Sequence, residues 1–187
     1  MATTYTGAGA KKFIKPDYIA VTLFTGEESN DTPLGDSYVL EDVIEDTTSV
    51  SQDDNTTTDI ECETSDAPIT SIVKLGKFQV AAEVGDTQSA LLVNLCGFTK
   101  VGDKVCAPSI YKKLYCKFDI VFKTGESTMT AFVVPKLQLN SKITIESLNS
   151  NLGRIMLAGT AQDAKITQET TTVKTPFYID EKYTLPS

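Results

Sequence analysis

The chain of 187 residues contains no histidine and no tryptophan. Catalysis by a Ser-His-Asp or Cys-His system needs an imidazole to move the proton, so the composition excludes both systems. Carboxylate pairs, lysine bases and Mg²⁺ sites are compatible with the composition, but they need side chains that converge in a pocket. No motif indicates such convergence, and we expect no catalytic residues and no enzyme activity.

The four cysteines do not form a metal-binding pattern. They are Cys62, Cys96, Cys106 and Cys116. Their spacings are irregular, and no two of them form a Cys-x-x-Cys pair. Structural zinc sites use Cys and His in pairs that are close in sequence. We therefore expect no metal and no cofactor, and we expect reduced thiols in or near the core, where free cysteines are common.

One short acidic run has the oxygen chemistry that calcium prefers. Asp53, Asp54 and Asn55 are adjacent, and hard cations bind clustered oxygen ligands. The spaced carboxylates and the glycine of an EF-hand are missing. A solvated loop is therefore the stronger interpretation of this run, and a structural ion is the weaker one.

The charge is distributed unevenly along the chain. Residues 16–73 contain fifteen Asp and Glu and no Lys or Arg, whereas residues 74–187 contain fourteen basic and ten acidic residues. The acidic part is either a solvated loop or a surface that meets a basic surface on another copy. Tight DNA binding requires Lys and Arg to displace counterions, so we expect no specific nucleic-acid binding.

No hydrophobic segment is long enough to cross a membrane. A transmembrane helix needs about 18 consecutive apolar residues, and a signal peptide needs an apolar run of about 7–15. Neither occurs in the sequence. We expect a soluble protein that is made in the cytoplasm and does not insert into membranes.

Hydrophobic patterning predicts a mainly β fold: an antiparallel β-sandwich or partly closed barrel, with one short flanking α-helix and a long acidic loop. One helix is predicted over residues 86–95, with Asp86 or Thr87 as N-cap and Gly97 as C-cap. The predicted strands cover residues 19–24, 38–44, 71–84 (bent at Gly76), 115–123, 128–134, 142–148, 154–161 and 173–179.

The clearest hairpin is predicted around residue 125. Phe118 and Ile120 alternate with Lys117 and Asp119, which predicts one buried face and one polar face. The polar face either meets solvent or lines a channel built with neighbouring copies. Pro135 indicates that the returning strand ends at a sheet edge.

The chain divides into an N-terminal arm (residues 1–18), a β-sandwich domain (19–161) and a C-terminal strand or arm (162–187). Residues 45–68 form the long loop, rich in Thr, Ser, Asp and Asn. Val50 and Ile60 are its only large aliphatic residues. Because they bury little alone, we expect the loop to become ordered only when a neighbouring subunit covers it.

Five segments follow one another along the chain: VLEDVIED, DTTSVSQDDNTTTDIE, QSALLVNL, YCKFDIVFKTGESTMTAFVVPKLQ and SKITIES with GRIML. Taken in order, they resemble the major tail tube proteins of long-tailed bacteriophages, especially those with non-contractile, lambda-like tails. The resemblance extends over residues 19–161. It lies in the order and character of the segments, and residues 162–187 have no assigned counterpart.

The resemblance implies a structural virion protein, made in the bacterial host cytoplasm and located in the tail. It implies hexameric rings that stack into a tube, with the tape measure protein, the tail terminator and baseplate or tip proteins as partners. DNA would pass through without specific binding, and no catalytic residue is carried over. The inter-ring contact is assigned to loop residues Glu45, Asp46, Val50, Asp53, Asp54, Asp59, Ile60, Glu61, Glu63 and Asp66.

Two other interpretations are kept. The first is another tail component, a tail terminator or the inner-tube protein of a contractile tail. Contractile inner tubes are expected to have the same sandwich, so the fold does not separate them from a tail tube protein. A β-sandwich binding module, such as a tail-fibre or adhesin-like domain, should stay monomeric or trimeric. It should also expose an aromatic patch for its ligand.

Overall fold

The computed structural model describes residues 16–24, 35–62, 65–85, 88–110, 113–125, 128–144, 153–168 and 170–186, with only the backbone at 61, 62, 65–69, 144 and 168. These residues form fifteen strands and one helix. The elements are β1 (Tyr18–Leu23), β2 (Ser37–Leu40), β3 (Ser49–Gln52), β4 (Thr56–Cys62), β5 (Ser65–Lys74), β6 (Phe78–Val84), α1 (Ser89–Cys96), β7 (Thr99–Val101), β8 (Lys104–Cys106), β9 (Leu114–Lys123), β10 (Met129–Leu139), β11 (Lys142–Thr144), β12 (Arg154–Ala161), β13 (Ala164–Gln168), β14 (Thr171–Thr175) and β15 (Tyr178–Asp180).

The strands form one large antiparallel sheet and three small ones. The large sheet has the order β2-β1-β9-β10-β12-β6-β3, with β11 paired to β12 and β15 paired to β10. The two-stranded sheets are β4-β5, β7-β8 and β13-β14. The described strands do not close into a barrel. The prediction of a mainly β, antiparallel, sandwich-like fold with one short helix is therefore confirmed.

The core lies between two parts of the large sheet. Phe118 and Ile120 of β9 are buried in the same cluster as Ala82 of β6 and Leu157 of β12. The predicted alternation of β9 is confirmed for this face, because period-2 alternation sends every second side chain to one side of a strand. Both faces that meet in the core carry mainly aliphatic side chains.

Strand β10 connects the two parts of the sheet. Its residues Ala131–Val133 pair with β15, and its residues Leu137–Leu139 pair with β12. The register with β9 shifts between Val134 and Leu137, and Pro135 lies within this irregularity. The prediction that Pro135 ends the strand at a sheet edge is wrong. A β-bulge accepts a residue without an N–H, so proline is tolerated inside this central strand.

The helix packs its apolar side on the core. Leu91 and Leu95 of α1 are buried, and Gly97 closes the helix with a φ of 71°, a left-handed conformation that glycine adopts without strain. The predicted Gly97 cap is confirmed. Asp86 and Thr87, the predicted N-caps, lie outside the described residues, and the helix begins after Gln88. Among the helices described, none is long and apolar enough to cross a membrane.

Four segments differ from the sequence-based expectation. Residues 173–179, expected to be one strand, belong to β14 and β15, which lie in different sheets. Residues 45–68, expected to be one long loop, contain β3, β4 and the start of β5. Residues 71–84, expected to be one bent strand, belong to two strands of different sheets, β5 and β6. Residues 99–109, which lie outside the predicted strands and helix, contain the hairpin β7-β8, whose turn includes Gly102 at a φ of 59°.

The predicted polar face of β9 is covered by residues 178–185, here called the C-terminal strap. Val121 of β9 packs with Ala131, Val133 and Tyr183 in a second apolar cluster. Asp119 on the same face is only 1% exposed. The prediction that this face meets solvent or a channel is therefore wrong at Asp119, because the chain returns to cover it. Residues 1–15 of the predicted arm lie outside the described part.

Candidate assembly surface

The strands β4 and β5 form a hairpin that is attached to the large sheet at a narrow base. We call residues 53–77 the acidic hairpin. At its base the Asp53 amide donates to the Lys77 carbonyl over 2.9 Å, and the Gly76 amide donates to Oδ1 of Asn55 over 2.9 Å. A Cβ on Gly76 would lie 1.7 Å from the Asp53 carbonyl oxygen. Only glycine therefore permits the segments around Asp53 and Gly76 to approach each other this closely.

The acidic hairpin has two chemically different faces. Asp59 lies opposite Ser71, and Thr57 lies opposite Val73, so these residues share one face. The other face carries threonines together with Ile60 and Ile72. All the side chains described between residues 51 and 60 and between 70 and 75 are exposed. At these described positions, neither face of the hairpin is buried within the single chain.

Large aliphatic side chains are exposed on and beside this hairpin. The exposed fraction is 49% for Ile72, 58% for Val73 and 77% for Leu75. Sequence reasoning missed these three because it assigned them to a single bent strand over residues 71–84. Clustered apolar residues at the surface of a soluble domain commonly mark an interaction site.

The predicted contact residues are spread along this region rather than gathered at one point. Glu45 and Asp46 precede β3, Val50 lies in β3, and Asp53 and Asp54 lie at the hairpin base. Asp59 and Ile60 lie in β4. Glu61 and Asp66 lie in β4 and β5 with only their backbones described, and Glu63 lies outside the described residues. The acidic hairpin and β3 therefore contain most of the predicted residues.

A groove of about 330 Å³ lies beside the edge strand β3. Thr48, Ser49 and Val50 form one wall, and Ile120, Phe122 and Phe132 complete the lining. Val50 is 39% exposed. The groove brings apolar side chains of the core next to the last strand in the sheet order.

In the acidic run at residues 53–55, Asp53 and Asn55 each use a side-chain oxygen within the hairpin base. Oδ2 of Asp53 accepts a hydrogen bond from Gln79 over 3.1 Å, and Oδ1 of Asn55 accepts from Gly76. Within the described ranges, no three Asp, Glu or Cys side chains come together as a metal site would require. These hydrogen bonds give Asp53 and Asn55 a structural role at the base of the hairpin.

A second exposed hairpin carries the opposite charge. We call β7 and β8 with their turn, residues 99–106, the basic hairpin. Lys104 lies opposite Val101, and Lys100 lies opposite Val105. Val101 is 62% exposed, and both lysines are exposed. Sequence reasoning missed this hairpin, although the Gly-Asp turn between two valine-containing segments was a usable signal.

A buried polar cluster holds the C-terminal strap to β9. Oδ2 of Asp119 accepts hydrogen bonds from Nζ of Lys117 over 2.8 Å and from the Tyr183 hydroxyl over 2.5 Å. Oδ1 of Asp119 has no partner among the described residues. Burial raises the pKa of Asp119, whereas Lys117 and the Tyr183 hydrogen bond act in the opposite direction. Burial also raises the pKa of Tyr183.

Three cysteines are free thiols in different surroundings, and the side chain of Cys62 is not described. Cys116 is buried, Cys96 is half-buried and Cys106 is exposed. Burial raises the pKa of Cys96 to about 11, and it raises that of Cys116 further. Because the thiolate is the reactive form, Cys96 and Cys116 are poor nucleophiles near neutral pH.

The fold and this surface define a mainly β, antiparallel domain with two exposed hairpins of opposite charge. No family model matches the chain, and no curated protein matches it.

Proposed function

We propose that this chain is a structural subunit that assembles with copies of itself into stacked rings, as the tail tube protein of a long-tailed bacteriophage does. The observation that carries the proposal is the acidic hairpin, in which the described side chains of both strands are exposed. The proposal assigns the chain to the virion tail and assigns it no catalytic role.

The physical argument begins with the stability of the hairpin. An isolated two-stranded hairpin is at best marginally stable in water. The acidic hairpin exposes Ile60, Ile72 and Val73, and burying such side chains stabilises by roughly 25 cal/mol per Å² of apolar area. A neighbouring subunit that covers one face would supply this burial and fix the hairpin.

The edges of the large sheet supply a second kind of contact. Strands β2 and β3 stand at the two ends of the sheet order. An edge strand has free N–H and C=O groups that pair readily with a strand of another chain. Pairing between unlike edges is head-to-tail, and head-to-tail contacts generate rings when the rotation closes. Stacking through the acidic hairpin would continue the assembly lengthwise.

The charge of the chain fits a conduit for DNA. The formal net charge is −8. An acidic wall repels phosphates, whereas a basic wall would bind them by releasing counterions. A tube of such subunits would let DNA pass without holding it. In this proposal the tape measure protein fills the tube, and the terminator and the baseplate or tip proteins bind its ends.

Negative-stain electron microscopy of the purified chain tests the proposal. We expect rings or tubes at high protein concentration, and dissociation on dilution. Light scattering over a concentration series provides the independent measure of mass. A chain that keeps the monomer mass at the highest soluble concentration would overturn the proposal.

A β-sandwich binding module is the second candidate, and one groove favours it. This groove, of about 570 Å³, is lined by apolar and aromatic residues that include Ile166, Phe177 and Tyr178. A binding module would be monomeric or trimeric in the same scattering experiment. Substituting Tyr178 would then abolish ligand binding without changing the mass.

A further inference from the structure

We propose that the acidic hairpin of one copy docks on the basic hairpin of the next copy, with Asp59 facing Lys104. The inference rests on the proposed self-assembly and names the surface that receives the hairpin. Its occupant is a second copy of this chain.

Opposite charge is the first reason for pairing these two hairpins. The acidic hairpin, residues 53–77, contains six acidic and two basic residues, whereas the basic hairpin, residues 99–106, contains two lysines and one aspartate. Charges of opposite sign steer two surfaces together and set their register. The two exposed hairpins therefore carry net charges of opposite sign, −4 and +1.

The arrangement of side chains on the faces is the second reason. On the acidic hairpin, Asp59 shares its face with Val73. On the basic hairpin, Lys104 shares its face with Val101. Each face thus combines one charge with one exposed valine, so a single contact can bury the valines and pair the charges.

The lysine and the aspartate are available for this contact. The Asp59 carboxylate accepts a hydrogen bond from the Ser71 hydroxyl, and no ion pair to Asp59, Lys100 or Lys104 occurs among the described residues. A carboxylate has about four lone-pair sites, so one hydroxyl donor leaves room for a lysine. The hairpins leave the fold at different places, one at the start of β6 and the other after α1.

Docking of unlike surfaces has a consequence for the shape of the assembly. Each copy carries one acidic and one basic hairpin, so a copy that has received a neighbour still offers its own acidic hairpin. Such a heterologous contact continues without limit unless it closes into a ring. The contact therefore supports lengthwise growth of the tube.

Charge reversal tests the pairing. We expect Asp59→Lys alone and Lys104→Glu alone each to raise the critical concentration for assembly about three- to tenfold, because like charges then face each other. The double variant carrying both changes should recover to within about twofold of the wild type. An equimolar mixture of the two single variants should also assemble, because every interface in it can be complementary. Lys165→Glu, the same charge change on the exposed β13, is the control and should assemble normally.

Carbodiimide cross-linking gives a second measurement. In a mixture of ¹⁵N-labelled and unlabelled chains, mass spectrometry should find Asp59 joined to Lys104 between labelled and unlabelled copies. If the wild type assembles but both single variants assemble normally and this cross-link is missing, the pairing is wrong and the proposed function stands. A wild-type chain that remains monomeric overturns both.

Discussion

The Tyr183 hydroxyl donates a hydrogen bond to Oδ2 of Asp119 over 2.5 Å, which joins residues 64 positions apart in the sequence. The aspartate side chain is 1% exposed, and Lys117 is its other donor. The C-terminal strap is therefore fixed to the centre of β9 by a polar contact inside an otherwise apolar cluster. This contact makes the strap part of the stability of the sandwich.

Removing the Tyr183 hydroxyl should destabilise the fold. Tyr183→Phe leaves the buried carboxylate with one donor fewer, and a hydrogen bond to a charged group contributes about 1.5–3 kcal/mol. We expect a loss of about 2 kcal/mol in the free energy of unfolding, measured with urea. Tyr178→Phe is the control on the same strap and should change it by less than about 0.5 kcal/mol. Equal effects of the two substitutions would show that the Asp119 contact contributes nothing specific.

Burial of Asp119 should give the stability a definite dependence on pH. Its pKa is raised in the folded state, chiefly by burial, and is about 3.9 in an unfolded chain. The folded state therefore holds the proton more strongly. The contribution of Asp119 to the free energy of unfolding therefore falls as pH rises from about 4 through the folded pKa. Above the folded pKa this contribution is constant.

The variant Asp119→Asn isolates this dependence. We expect the free energy of unfolding of the wild type, relative to that of the variant, to fall as pH rises through this window. Urea titrations at several pH values measure the difference. Asp54→Asn removes a charge from an exposed position and serves as the control. A wild type that gains stability relative to Asp119→Asn as pH rises would reverse the sign and contradict the burial argument.

Gly76 should be essential for the base of the acidic hairpin. Gly76→Ala places a methyl group 1.7 Å from the Asp53 carbonyl oxygen. The segments around Asp53 and Gly76 must therefore move apart. We expect a cost of about 1–3 kcal/mol. Hydrogen exchange should accelerate in β4 and β5, while amides of β9 and β10 stay protected.

Gly85→Ala is the matched control for Gly76. Its Cβ would meet its nearest atoms at 3.9 Å, an ordinary contact. The exchange pattern of this variant should match that of the wild type. If Gly76→Ala also kept the wild-type exchange pattern, the prediction that Gly76 is essential for the hairpin base would be wrong.

Shortening the acidic hairpin should separate folding from assembly. Replacing residues 58–72 with Asn-Gly joins Thr57 to Val73, which are paired in the hairpin, through a turn suited to two strands. The large sheet contains neither β4 nor β5, so we expect a folded domain that no longer forms tubes. Circular dichroism and electron microscopy check the two properties. Shortening β13-β14 in the same way is the control, and tubes in both variants would mean that the acidic hairpin does not mediate stacking.

The sequence predicted the parts of the fold that local patterns determine. The alternation around Phe118 identified the buried face of β9, and Gly97 identified the end of α1. Each of these signals lies within a few residues of the feature it determines. Periodicity and capping are local effects, so a single sequence is enough to see them.

Other parts required contacts that the sequence does not reveal. Asp119 looked like a surface residue because nothing near it indicates that Tyr183 returns to cover it. The threonine-rich β4 looked like a loop because a strand exposed on both faces has no alternation. For the same reason the predicted contact residues Asp53 and Asp59 were placed in one loop, although the structure separates them into hairpin base and strand.

The covering of β9 by the C-terminal strap also sets an order of events during synthesis. Residues 178–185 are translated after β1–β14, yet they complete the cluster that contains Ala20 and Val121. A nascent chain that has not reached Tyr183 leaves this apolar face uncovered, and such surfaces are prone to aggregation. Folding of this face is therefore completed only after the strap has emerged from the ribosome, and chains still in translation lack the finished surface.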